Sequence, residues 1–76
     1  MIIPEKHRET EIFFVVEEAD EGGYIARSHA FPIYTQADTL DELREMVRDA
    51  VLCHFGDKPA PTLIRLHIVR DEVLAV

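Results

Sequence analysis

Residues 10–18, Thr-Glu-Ile-Phe-Phe-Val-Val-Glu-Glu, place Ile12, Phe14 and Val16 on one side of an extended chain and Phe13 and Val15 on the other. Branched and aromatic side chains at that density predict a β-strand, and apolar positions on both faces predict one covered on both. Ala19-Asp20-Glu21-Gly22-Gly23 follows, with two glycines free to take positive φ, so a hairpin loop is expected there. The return strand is predicted over residues 24–30. Phe31-Pro32 then interrupts it, because proline has no N–H to give a central ladder, and residues 33–36 read as a short third strand.

The period changes at Thr39. Leu40, Leu43, Val47, Ala50, Val51 and His54 recur at helical spacing, while Asp41, Arg44, Glu45, Arg48 and Asp49 fall on the opposite side, predicting an amphipathic helix from Leu40 to about Phe55. Thr39 is its expected N-cap: the hydroxyl can accept the third helical N–H, and Glu42 stands where its carboxylate can reach back to the N–H of Thr39. Gly56 is expected to close the helix as a left-handed cap, and Asp57-Lys58-Pro59-Ala60-Pro61 cannot extend it. Residues 62–69 return to period two, with Ile64, Leu66 and Ile68 on one face and Arg65 and His67 on the other. After Arg70-Asp71-Glu72 comes an apolar tail, Val73-Leu74-Ala75-Val76, wasteful if left in water. It is expected to pair, either as an edge strand on its own sheet or across to a second subunit, with Val73, Leu74 and Val76 as oligomer contacts. Residues 1–9 show no period and read as a loose or edge-lying segment.

The sum is an α+β fold in β-β-β-α-β order, a mainly antiparallel sheet of 3–5 strands with one amphipathic helix packed on it. Seventy-six residues allow a single domain, 1–76, with no separate DNA-binding domain. A lone core of this size supplies only about 3–5 kcal/mol, so small domains often add a disulfide, a metal or self-association. One cysteine, Cys53, permits no internal disulfide and no Cys-based zinc pattern, which leaves a homo-oligomer, dimer or tetramer, as the expected supplement. A net charge of −7 argues against direct nucleic-acid binding, which needs clustered Lys and Arg, and suits either a basic protein partner or plain solubility. No apolar run reaches the roughly 20 residues that span a bilayer, and Met1-Ile2-Ile3-Pro4 lacks the form of a signal peptide. A reducing cytoplasmic setting without membrane contact is the expectation.

Little in the chain points to catalysis. Glu17, Glu18, Asp20 and Glu21 gather at the hairpin tip, where acids ordinarily form a solvated turn. Asp38, Asp41 and Glu42 suit the positive end of a helix dipole. His7, His29, His54 and His67 show no metal-ligand spacing, although His29 and His67 could meet across neighbouring strands. Cys53 and His54 point about 100° apart on a helix and far from its N-terminus, so a thiolate nucleophile is not expected. The aromatic residues read as core. No enzyme activity, metal or cofactor is expected.

Taken together, Phe14-x-Val16-x-Glu18, Glu21-Gly22-Gly23-Tyr24-x-Ala26, Ile33-x-Thr35-Gln36 and Asp38-Thr39-Leu40-x-Glu42-Leu43 with Ala50 resemble the HicB-like family, antitoxin halves of bacterial toxin–antitoxin pairs. The resemblance spans roughly residues 12–51. It implies a truncated ribonuclease H-like fold without nuclease activity, and a domain that masks HicA, a small basic RNA-cleaving toxin, through an acidic surface. Glu17, Glu18, Asp20 and Glu21 are the residues offered for that contact. This chain departs from the family at Ala37, where glycine is common, and in the shorter connection over residues 28–32. A stand-alone HicB-like accessory or interaction protein is the alternative.

Overall fold

The computed structural model describes residues 10–76, and the reading of residues 1–9 as a loose segment lies outside them. Four strands and a helix follow in the order β1 (Glu11–Glu18), β2 (Tyr24–Ser28), β3 (Tyr34–Ala37), α1 (Leu40–Phe55) and β4 (Leu63–Val69). The sheet order is β3-β2-β1-β4. Antiparallel pairing joins β1 to β2 and β2 to β3, but β4 runs parallel to β1, so the sheet is mixed. The direction follows from the path: α1 carries the chain back from the end of β3 to the start of β4, past β2 and β1.

Register sorts the side chains. Phe14 stands opposite Ser28 on one flank and Leu66 on the other, and Val16 lies between Ala26 and Ile68. These residues face the helix, whose Leu43, Val47 and Val51 meet Ile12, Phe14 and Val16 in the core. Burial of such side chains stabilises the fold by about 1.5–3 kcal/mol each. The helix lies over β2 and β3. Over β4 the cover is thin: Ile64 and Leu66 are half-buried, and Ile68 is 46% exposed.

The opposite sheet face is open, against the expectation that β1 would be covered on both sides. Phe13 is 42% exposed and stacks on His67, with ring centroids 5.8 Å apart. Tyr34 is also exposed, with the Arg27 guanidinium 5.8 Å from its ring centre, so these two aromatic residues lie outside the core. Beside them Arg65 clasps Glu11 through two hydrogen bonds of 2.8 Å. One helix can cover only one face, and this polar dressing accommodates the other.

Local chemistry sets the ends of the elements. β2 stops at Ser28, two residues before the expected end, because the Ser28 N–H bonds the Ile33 carbonyl while its buried hydroxyl accepts from Phe31 N–H at 3.3 Å. Ile33 is a buried core residue just before β3, which extends through Ala37. Gly56 ends α1 with φ +56° and ψ −121°, a positive φ but not the left-handed helical conformation, and its N–H bonds the Leu52 carbonyl. β4 is seated at its start by Thr10, whose carbonyl accepts from the N–H groups of Thr62 and Leu63.

Among the described residues the tail takes no strand pairing. Residues 70–76 form no regular element, with Val73 93% and Leu74 80% exposed, so the alternative of an edge strand on its own sheet is not what the chain adopts.

Candidate functional site

A cleft forms where the hairpin loop meets the helix start. Ala19 N–H bonds the Gly23 carbonyl and Gly22 N–H bonds the Ala19 carbonyl, both at 3.0 Å, folding residues 19–23 into a compact loop. Gly23 has φ +83°, and a Cβ there would lie 2.7 Å from the Ala37 carbonyl oxygen. Glycine is thus required on two grounds, and it lets the hairpin close against the β3–α1 junction.

That junction is held by the helix cap. Thr39 adopts extended backbone angles and its hydroxyl accepts from Glu42 N–H at 3.1 Å. The Glu42 carboxylate bonds Asp38 N–H at 3.3 Å, one residue earlier than the Thr39 N–H expected from spacing. The return arm of the capping box therefore ties the helix to the turn before it.

Between loop, junction and helix lies a cleft of about 630 Å³, with Tyr24, Ile25 and Met46 supplying apolar surface and Glu21, Asp38, Glu42 and Glu45 supplying carboxylates. A smaller hollow of about 350 Å³ adjoins it through Ala19 and is lined by Glu17, Glu18, Asp20 and Asp71. The structure thus gathers the hairpin acids and adds Asp38, Glu42, Glu45 and Asp71 to them. Arg70 is the one cation drawn toward this pole among the described salt bridges, 3.7 Å from Glu18, with both side chains well exposed. Such crowding of like charge is mildly unfavourable in isolation and favours any cationic surface brought against it.

Sequence spacing could not have shown this convergence, since Glu45 lies on the solvent side of the helix and Asp71 follows the last strand. The signal available was the excess of acids at the hairpin tip, at the helix start and just after the last strand. His29 and His67 do not meet: His67 lies on β4 beside β1, whereas His29 follows β2 on the far side of β1. His54 packs edge-on against Phe31 and Phe55, at centroid distances of 5.6 and 5.1 Å. Cys53 is exposed and unbridged. Among the described residues, no group of three or more His, Cys, Asp or Glu side chains is arranged to hold a metal ion.

Fold and site define a small α+β protein, in its described residues a single helix on a mixed four-stranded sheet, with an acidic cleft at the hairpin pole. Among known proteins it is similar to a UPF0150 protein of Thermotoga maritima, 46% identical over 66 residues that make up 87% of this chain and 93% of that protein. A UPF0150 protein of Archaeoglobus fulgidus is 52% identical over 52 residues, 68% of this chain and 77% of the relative. The chain belongs to the UPF0150 family. No family model matches it, and no solved structure matches it. Among the described residues no helix is long and apolar enough to cross a membrane.

Proposed function

We propose that this chain is a non-catalytic protein-binding domain, a HicB-like antitoxin of the cytoplasm whose acidic pole masks a small basic RNA-cleaving toxin of the HicA type. The observation that carries the reading is the convergence of the resembling segments on one cleft. Glu21, Gly22 and Tyr24 come from the hairpin, Gln36 from β3, and Asp38 and Glu42 from the helix start. An apolar floor within a carboxylate rim suits a protein surface of aliphatic groups among Lys and Arg. The carboxylates steer a cationic partner into encounter, and burial of Tyr24 and Met46 then slows its release.

Co-expression with a small basic protein encoded beside the gene tests the reading. The expected outcome is a copurifying complex and relief of that protein's toxicity. The triple variant Glu18→Lys, Asp20→Lys, Glu21→Lys is expected to weaken the complex by at least about tenfold, through slower association and a flatter salt dependence. Failure of any neighbouring basic product to bind would replace the antitoxin reading with the stand-alone accessory role.

A further inference from the structure

The tail and β4 are complementary surfaces that a single chain leaves apart. Among the described residues β4 is an outer strand, so one side of its backbone has no neighbour there. Its helix-side residues Ile64 and Leu66 floor a groove of about 280 Å³ beneath Val47, rimmed by Arg44 and Arg48. The tail Val73-Leu74-Ala75-Val76 is apolar and exposed, and is preceded by Asp71 and Glu72, the opposite sign to the groove's rim. We propose that residues 71–76 of one copy add antiparallel to the free edge of β4 in a second copy, and that exchange in both directions builds a twofold dimer.

Register supports this occupant. Residues directly opposite in an antiparallel pair share a face. Placing Leu74 opposite Leu66 of the second copy sets Val76 opposite Ile64 on the helix side, over the groove, and Val73 opposite His67 on the open side. The pairing keeps the alternation of β4, with its even-numbered residues toward the helix, continuous into the tail. Arg70 then meets its own symmetry mate at the axis, where Glu18, 3.7 Å from each Arg70, offsets the like charge. Each tail covers what the other copy exposes, as an isologous interface requires, and each hydrogen-bonded edge ceases to be a free template.

The test is sedimentation of the full chain against the double variant Leu74→Asp, Val76→Asp, with circular dichroism to confirm that both fold. A wild-type dimer weakened by roughly 100-fold or more in the variant is expected, since charges replace both anchors. A wild-type monomer, or a dimer the variant leaves unchanged, overturns the proposal. Register is tested in a Cys53→Ser background by mixing differently tagged Leu66→Cys and Leu74→Cys chains under diamide. A disulfide between the two tags is expected. No cross-link, or an equal yield when Val73→Cys replaces Leu74→Cys, overturns the assigned pairing.

Discussion

At the scale of single residues, the two hairpin glycines differ in a way their adjacency conceals. Both have positive φ, but a Cβ on Gly22 would meet open space, whereas one on Gly23 would strike the Ala37 carbonyl. Gly22→Ala is therefore expected to cost about 1 kcal/mol from backbone strain alone, and Gly23→Ala roughly 2 kcal/mol or more. Urea denaturation of the two variants checks the order, and equal losses would show that the hairpin does not close on β3 as described. Glu11 offers a second test. The hydrogen bonds from Arg65 lower its carboxyl pKa below the ordinary 4.5, so its stabilising contribution is present above that value and is lost as pH falls through the lower, folded one. The wild type should exceed Glu11→Gln in melting temperature near neutrality, with the difference shrinking in acid below 4.5. A difference that grows in acid would contradict the pairing. Both side chains are exposed, so the effect is small.

At the scale of elements, the helix is held by its buried face and its cap. Leu43 is fully buried, while Met46 and Leu52 are exposed at 45% and 59%. Leu43→Ala is expected to cost about 2–5 kcal/mol. A domain of this length has a total stability of only about 4–11 kcal/mol, so that variant stands near unfolding. Met46→Ala and Leu52→Ala should stay within about 0.5 kcal/mol. Thr39→Ala should cost about 1 kcal/mol by removing the acceptor for Glu42 N–H. Thermal melts followed at 222 nm measure all four, and a comparable loss from Met46→Ala would mean that the assigned core face is wrong. The helix was legible from its first residue to its last because cap, period and stop all act within a few residues. The ends of β2 and β3 were less so: Pro32 announced a break, but the Ser28 hydroxyl and amide closed it earlier, and serine carries no such signal by itself.

At the scale of the whole molecule, charge and apolar surface separate. The carboxylates collect at the hairpin pole, while the uncovered apolar surface runs along β4 and into the tail. The proposed toxin-binding and dimer surfaces meet at Glu18 and Asp71 and are separate elsewhere. The pair Asp20→Lys, Glu21→Lys, which spares Glu18 beside the axis, should therefore leave sedimentation unchanged, and the tail variant should leave the acidic pole available to a basic partner. Binding of the tail variant to that partner, measured by calorimetry, is expected to match wild type per chain. A shared loss would show that the two surfaces are coupled.

What the amino-acid order determined by itself was whatever short-range physics controls: alternation in β1 and β4, the glycine loop, the Thr39 cap and the apolar stripe of the helix. These depend on neighbours within a turn or a hairpin, so their residue types carry the information directly. A period of two states which side chains share a face but not which strand lies alongside, nor in which direction. Tertiary packing decided that β4 runs parallel to β1, more than fifty residues away in sequence, and that the helix covers β2 and β3 while leaving β4 thinly covered. It also decided that acids from the hairpin, the helix start and the last segment share one pole. Those outcomes come from burying one apolar face under one helix, a constraint on the whole chain that no local pattern contains.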